Sequence, residues 1–190
     1  VYNALNVLGM AMQLEISLAD AAAALRSAQG VKGRVEVVPT PGKDYTVLVD
    51  YAHTPDGLEN VLSSVRGFCK GRLISVFGCG GDRDPIKRPI MGEIGVKLSD
   101  IGVVTSDNPR TEKPGTIIED ILRGIPEGKN NYLVIENRVE AIRHAMDIGQ
   151  KHDIIVLAGK GHETYQEINH VKHHMDEREI VAAYLSETEE

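Results

Sequence analysis

The sequence predicts an α/β fold in which a mostly parallel, Rossmann-like sheet carries helices on both faces. From residue 45 onward, short apolar runs alternate with longer segments whose apolar residues recur at helical spacing. The runs at 45–50, 72–77 and 101–105 are predominantly apolar, without strict alternation of apolar and polar residues, which is typical of parallel strands buried on both faces. Alternation of this kind indicates strand–helix–strand units that build one sheet.

The segment before this alternation has a different character. Ser17 followed by Asp20 is a capping signal for a helix, and the proline and glycine of 39–43 indicate a turn. We therefore expect a boundary near residue 40, with 1–40 ending an upstream domain and 41–190 forming the next one. The predicted elements are helices 2–13 and 18–28, strand 34–38, strand 45–50, helix 56–68, strand 72–77, helix 86–99, strand 101–105, helix 115–123, strand 132–136, helix 138–150, strand 153–158, a hairpin over 164–175 and helix 176–185.

Composition excludes several classes of function. The 190 residues carry a formal net charge of −7, which argues against a nucleic-acid partner because such surfaces are basic. No apolar run approaches the roughly 18 residues of a membrane span, so no membrane partner is expected. Cys69 and Cys79 lie in no metal-like spacing and fit a reducing cytoplasm. The chain begins with valine inside a predicted helix, so we expect a fragment of a longer protein.

The tetrapeptide Asp107, Asn108, Pro109 and Arg110 follows the predicted strand 101–105. Carboxyl ends of parallel strands deliver ligand-binding residues, and Pro109 holds Asn108 in an extended conformation. Arg110 offers a planar set of donors that matches a carboxylate, and an asparagine amide both donates and accepts. These features predict a site for the head group of an amino acid. The alternative is a turn in which Asp107 caps the next helix and Arg110 pairs on the surface.

Two further loops follow predicted strands. The loop at 78–84 is glycine-rich, but Arg83 stands where a dinucleotide fingerprint needs its third glycine. In the loop after strand 153–158, Gly159 permits close backbone approach and Glu163 offers a partner for an ammonium group. A metalloprotease motif is excluded because position 166 is glutamine. We expect no metal site, since the hairpin histidines belong to a polar, exposed segment.

The combined charge of these loops predicts the ligand class. Arg83 and Arg110 supply two guanidinium groups, and Glu163 supplies one free acid. An amino acid with two carboxylates and at least one ammonium would satisfy all three, whereas a neutral side chain would leave a buried arginine unpaired, which is costly.

Asp50 and His53 follow the first strand of the alternating region. Asp50 could accept hydrogen bonds from ribose hydroxyls, and His53 could contact phosphate. The structural alternative is that Asp50 caps the next helix while His53 makes a core hydrogen bond.

These motifs together resemble the Mur ligase family, in segments 2–6, 33–34, 50–55, 78–84, 107–110 and 159–163. The resemblance implies a three-domain ligase, in which 1–40 end the central ATP-binding domain and 41–190 form the carboxyl-terminal amino-acid-binding domain. It implies ATP and Mg²⁺, a carboxylate activated as an acyl phosphate, and attack by an incoming amine in peptidoglycan precursor synthesis. The family's phosphate loop, magnesium ligands and carbamylated lysine would lie upstream of residue 1, so no catalytic residue is expected here.

Within that family the motifs imply the addition of meso-2,6-diaminopimelate to UDP-N-acetylmuramoyl-L-alanyl-D-glutamate. The residues that match the diaminopimelate site are Arg83, Asp107, Asn108, Pro109, Arg110, Gly159 and Glu163. Asn6, Arg34, Asp50 and His53 match nucleotide-binding positions. Two alternatives stay open, which are a lysine-adding or folylpolyglutamate-type ligase of the same superfamily and a non-catalytic amino-acid-binding module.

Overall fold

A computed structural model describes residues 2–28 and 30–188 of the chain. The chain forms two compact units, 1–31 and 32–190. The first unit contains helix α1 (Tyr2–Gln13) and helix α2 (Leu18–Ser27), which pack against each other. Ser17 caps α2 as the sequence predicts, because its hydroxyl accepts a hydrogen bond of 3.1 Å from Asp20 N.

The second unit contains the predicted succession of strands and helices, ending in a two-stranded hairpin and a last helix. The elements are β1 (Glu36–Val38), β2 (Thr46–Asp50), α3 (Pro55–Arg66), β3 (Leu73–Phe77), α4 (Lys87–Leu98), β4 (Ile101–Val104), α5 (Pro114–Leu122), β5 (Tyr132–Val134), α6 (Arg138–Asp147), β6 (Ile154–Ala158), β7 (Tyr165–Ile168), β8 (Val171–His174) and α7 (Glu177–Thr188). The predicted α/β class is confirmed.

Six strands form one sheet in the order β1-β2-β6-β3-β4-β5. Strands β2 to β6 run parallel, and only β1 at the edge is antiparallel to its neighbour. Successive strand residues point to opposite faces, so Val47 and Val49 lie in one core while Leu48 lies in the other. Helices α3, α4 and α5 cover one face, and α6 and α7 cover the other.

The division between the units falls earlier in the chain than the sequence indicates. The boundary expected near residue 40 would leave 34–38 outside the second domain, whereas β1 pairs with β2 from Glu36↔Val49 to Val38↔Val47. Glu36 also pairs with Arg178 of α7 at 2.8 Å. The sequence predicts a strand at 34–38 but does not show to which domain it belongs. That depends on its pairing with β2, which lies beyond the intervening turn.

The parallel sheet places five loops along its carboxyl edge. Because β6 is inserted between β2 and β3, the loops after β2, β3, β4 and β6 lie next to one another. Helix α3 begins at this edge, where Thr54 Oγ1 accepts from Gly57 N at 3.2 Å and Pro55 occupies the first turn. No helix within 2–28 and 30–188 is both long and apolar enough to cross a membrane.

Candidate functional site

Six of the seven residues predicted to bind an amino acid line one cavity of about 300 Å³ at the carboxyl edge of the sheet. We call it the rim cavity. Its lining comprises Tyr51, His53, Thr54, Gly80, Arg83, Asp84, Lys87, Asp107, Asn108, Arg110, Gly159 and Glu163. The seventh residue, Pro109, instead lines a neighbouring cavity beneath the β7–β8 hairpin. Pro109 thus shapes the loop from the side away from the rim cavity.

Asn108 is buried and connects three loops through its amide. Its Nδ2 donates to Glu163 Oε2 at 2.9 Å, and its Oδ1 accepts from Lys160 Nζ at 2.8 Å and from Glu167 N at 2.9 Å. Lys160 Nζ also lies 3.2 Å from Glu163 Oε2. Glu163 therefore already has a cationic partner within the protein, which the sequence analysis did not anticipate.

Asp107 contributes an acceptor without a partner. Its Oδ1 accepts from Asn108 N at 2.6 Å, so it does not cap a helix. Its Oδ2 is buried and has no hydrogen-bond partner among the residues that the structure describes. Gly159 has φ +122°, and a Cβ there would come within 2.7 Å of Asp107 Oδ2. Glycine is thus required both by the backbone conformation and by the space beside this carboxylate.

Arg110 is held in position by the hairpin. Its backbone has φ +53° and exchanges hydrogen bonds with Glu167 O and Asn169 N at 3.0 and 2.7 Å. Its guanidinium donates through Nη1 to Gly81 O at 2.8 Å, and Nε lies 3.3 Å from Glu167 Oε2. These contacts fix the plane of the guanidinium but leave Nη2 without a partner within the described ranges.

Arg83 stands on an exposed loop and lines the rim cavity. The loop is supported by Glu112, whose carboxylate accepts from Asp82 N at 2.6 Å. Arg88 pairs with Glu112 at 2.7 Å and with Asp120 at 2.9 Å. The Arg88 guanidinium and the Asp82 N–H hold the pKa of Glu112 below its usual value.

Arg88 is a charged residue that the fold buries. It is the second residue of α4, close to a helix start where charged side chains are usually solvated, yet it is only 2% exposed. The two carboxylates that surround it lie on the next loop and helix, so neither is apparent from local sequence.

A second cavity of about 340 Å³ lies beside the first and contains three of the four predicted nucleotide-binding residues, Arg34, Asp50 and His53. We call it the tyrosine cavity, because the Tyr51 ring lies 4.5 Å from the His53 ring and 5.0 Å from the Arg34 guanidinium. One Asp50 oxygen accepts from Val35 N at 2.8 Å. Asp50 therefore fixes the segment before β1 rather than capping α3, whose cap is Thr54.

The fourth predicted residue, Asn6, lies in the first unit. It is exposed on α1 and lines a shallow groove together with Leu5, Gly9 and Met10.

Metal ligands were not predicted for the hairpin histidines. Within the described residues, no cluster of three or more His, Cys, Asp or Glu is placed to hold a metal ion. His174 instead pairs with Glu179 at 2.6 Å, which raises the pKa of this exposed imidazole.

Lys160 and Glu167 are the site residues that sequence reasoning missed. Lys160 lies between two glycines after a buried strand and three residues before Glu163. That spacing is a usable signal, because it brings a lysine and a carboxylate together across a tight turn. Glu167 carries no comparable signal, since its role depends on how the hairpin docks onto Arg110.

Comparison with known proteins places this geometry in a family. The family model described as "Mur ligase, glutamate ligase domain" matches residues 33–161. The chain belongs to the Mur ligase family. The resemblance predicted from the sequence is thereby confirmed, and the match covers every predicted site residue of the second unit except Glu163.

Relatives of this Mur ligase chain share one name, UDP-N-acetylmuramoyl-L-alanyl-D-glutamate–2,6-diaminopimelate ligase. The Clostridium acetobutylicum protein (ligase 1) is 55% identical over 188 residues, which cover 98% of this chain and 39% of that protein. The Clostridioides difficile protein is 52% identical over 186 residues, 98% of this chain and 38% of that protein. The chain thus spans well under half the length of these relatives.

Solved structures agree with this assignment. A structure of a ligase of the same name superposes with a TM-score of 0.79 at 38% identity, covering 96% of this Mur ligase chain and 37% of that one. A UDP-N-acetylmuramate–alanine ligase from Thermotoga maritima superposes with a TM-score of 0.66 at 20% identity, covering 98% of this chain and 37% of that one, and it supports the fold alone.

Proposed function

We propose that this chain is the amino-acid-binding part of a ligase that adds meso-2,6-diaminopimelate to UDP-N-acetylmuramoyl-L-alanyl-D-glutamate in peptidoglycan precursor synthesis. The observation that carries the proposal is the convergence of Arg83, Arg110, Asp107 and Glu163 on one cavity. The relatives named for this reaction support it.

The charges of the rim cavity match one end of diaminopimelate. That end carries a carboxylate and an ammonium on the same carbon. The carboxylate would meet Arg83 and the open Nη2 of Arg110, since guanidinium groups bind carboxylates well. The ammonium would meet Asp107 Oδ2, which is buried and has no partner among the described residues. A ligand that supplied only one of these charges would leave the other group of the cavity unpaired.

The distinction from a lysine-adding ligase depends on the same groups. Lysine has an ammonium at its side-chain end but no second carboxylate, so it would leave Arg83 and the open Nη2 of Arg110 without a substrate carboxylate, although Nε of Arg110 keeps its contact with Glu167. We therefore place lysine second. A folylpolyglutamate-type activity is supported only by fold likeness at 21% identity and a TM-score of 0.53.

The tyrosine cavity fits part of a nucleotide. The Tyr51 ring offers a flat surface. Among the described residues, only one oxygen of Asp50 accepts a hydrogen bond, which comes from Val35 N. The second oxygen would accept from a ribose hydroxyl, and Arg34 would lie near phosphate. When bound, ATP would supply the phosphoryl group that activates the acceptor carboxylate, with Mg²⁺ neutralising its phosphates. Asn6 of the first unit is proposed for the same nucleotide by resemblance.

The proposed contribution of this chain is orientation. The rim cavity would bind the end of diaminopimelate that does not react, and would thereby hold the reacting amine toward the activated carboxylate. Positioning of this kind can lower the activation free energy by several kcal/mol. We propose that the first unit, 1–31, completes the ATP-binding domain of the longer protein. The free thiols of Cys69 and Cys79 support a cytoplasmic location.

The test is a ligase assay on the complete gene product that carries this chain. The assay would supply UDP-N-acetylmuramoyl-L-alanyl-D-glutamate, ATP and Mg²⁺ with meso-diaminopimelate, L-lysine or L-glutamate as acceptor. We expect product with diaminopimelate alone. Preferential use of lysine would establish the first alternative, and absence of any ligation would favour the non-catalytic module.

A further inference from the structure

Lys160 is a buried cation to which the proposed function gives no role. It follows β6, its side chain is 0% exposed, and its Nζ lies among Asn108 Oδ1, Glu163 Oε2 and the face of the Tyr165 ring. Burying an ammonium is costly unless it is paired and hydrogen-bonded. An apolar side chain would avoid that cost, so we ask what the ammonium does.

We propose that Lys160 is a positioning residue that orients Asn108 and Glu163 for the ammonium group of the amino-acid substrate. This inference rests on the proposed function, because it concerns the same cavity. Lys160 does not touch the substrate itself, since its side chain is fully buried and it does not line the rim cavity.

The first step of the argument concerns the amide of Asn108. An ammonium and a backbone N–H can only donate. Lys160 Nζ and Glu167 N both face the same end of the amide, at 2.8 and 2.9 Å, so that end must be the oxygen. The Nδ2 group is consequently turned toward Glu163, at 2.9 Å from Oε2. Without the lysine, only one donor would oppose a flip of this amide.

The second step concerns the carboxylate of Glu163. Its Oε2 receives both Lys160 and Asn108, which fixes the side chain at two points. Its Oε1 has no hydrogen-bond partner within the described parts of the chain. Because Glu163 lines the rim cavity, Oε1 is the oxygen available to a substrate ammonium. Lys160 thus selects which oxygen of Glu163 is presented to the substrate.

The experiment is steady-state kinetics of the complete gene product with the substitution Lys160→Met. We expect the KM for diaminopimelate to rise by about tenfold to a hundredfold, the range for loss of a charged hydrogen bond. We expect kcat at saturation and the KM for ATP to stay within about twofold. A purely structural role would instead lower the fraction of active enzyme and leave the KM for diaminopimelate unchanged, and that result would overturn the inference.

The matched control is Lys172→Met. Lys172 also lies over the Tyr165 ring, at 4.1 Å from its centroid, but it is exposed on β8 and has no contact with Asn108 or Glu163. We expect wild-type kinetics for this variant. A rise in KM equal to that of Lys160→Met would mean that the ring or the overall charge is responsible, and the positioning role would be rejected.

A double-mutant cycle with Glu163→Gln tests whether Lys160 acts on the KM through Glu163. It also provides a second measurement in case the Lys160→Met variant folds poorly. In Lys160→Met/Glu163→Gln, no carboxylate at position 163 is left without its cation. If Lys160 acts through Glu163, the double variant should have a KM within about twofold of Glu163→Gln alone. If the fold-increases in KM caused by the two single substitutions instead multiply in the double variant, the two residues act independently and the inference is contradicted. If the wild-type protein does not use diaminopimelate at all, the proposed function fails, whereas an unchanged KM in Lys160→Met refutes this inference alone.

Discussion

The buried ion pair Arg138–Glu177 allows a prediction of how much burial adds to the free-energy cost of breaking an ion pair. Arg138 Nη2 lies 2.7 Å from Glu177 Oε1 and donates to Ala158 O at 2.9 Å, and both side chains are 0% exposed. Glu177→Gln keeps an oxygen near the guanidinium but leaves its charge without an anion. Removing one partner of a buried pair costs about 3–5 kcal/mol. Ala158 O and the new amide oxygen can still accept hydrogen bonds from Arg138. We therefore expect the free energy of unfolding to fall by about 3 kcal/mol, at the lower end of that range.

The assay is urea unfolding of the 190-residue chain, and the same two helices supply the control. Arg143 of α6 and Glu187 of α7 form an ion pair with two contacts of 2.6 and 2.7 Å, but Glu187 is exposed and Arg143 is only half-buried. We expect Glu187→Gln to change the free energy of unfolding within experimental error, because exposed pairs contribute little. Equal losses in both variants, or a larger loss for Glu187→Gln, would refute the reasoning.

Three further predictions concern packing, thiol chemistry and pH. Gly92→Ala should destabilise the chain by about 1–3 kcal/mol in urea unfolding, because the new Cβ would lie 2.1 Å from Ile121 O, whereas Gly115→Ala, with its nearest atom at 3.6 Å, should be harmless. Burial raises the pKa of the Cys79 thiol to about 12, so iodoacetamide at pH 8 should modify Cys79 only after unfolding, and mass spectrometry showing rapid modification of the folded chain would contradict this. Burial acts to raise the pKa of Asp153, but hydrogen bonds from the Arg72 side chain and from backbone N–H groups outweigh it and hold that pKa below its usual value. The ionised carboxylate therefore stabilises the folded chain above the unfolded pKa, and this stabilisation should be lost below about pH 4. Asp153→Asn should flatten the measured pH dependence of the free energy of unfolding.

Much of the fold follows from the sequence because the strands are predominantly apolar runs. Each run is followed by a segment of helical periodicity, and that alternation admits few architectures. The strand order is a different matter. Insertion of β6 between β2 and β3 depends on the packing of α6 on the face of the sheet opposite α3, α4 and α5. The residues of β6 do not indicate which strands will be its neighbours.

The candidate site is predictable where it depends on strand ends and unpredictable where it depends on buried polar contacts. Asn108 and Arg110 follow β4 and Glu163 follows β6, and both strands end at the same edge of the sheet, so the convergence of these residues is a consequence of the sheet. Lys160 and Arg88 are also charged, but each is buried together with a partner far along the chain, which is Asn108 for Lys160 and Glu112 for Arg88. Sequence alone favours exposure for such residues, because burial of a lone charge is costly.

The most direct measurement is equilibrium binding of meso-diaminopimelate and L-lysine to the complete gene product, by calorimetry, with and without Arg110→Ala. We expect the wild-type protein to prefer diaminopimelate, and we expect the substitution to reduce that preference by about tenfold to a hundredfold while leaving lysine binding unchanged, since only the second carboxylate uses the guanidinium. Equal affinity for the two amino acids in the wild-type protein, or a preference that survives the loss of Arg110, would contradict the assignment of the rim cavity to a substrate with two acid groups.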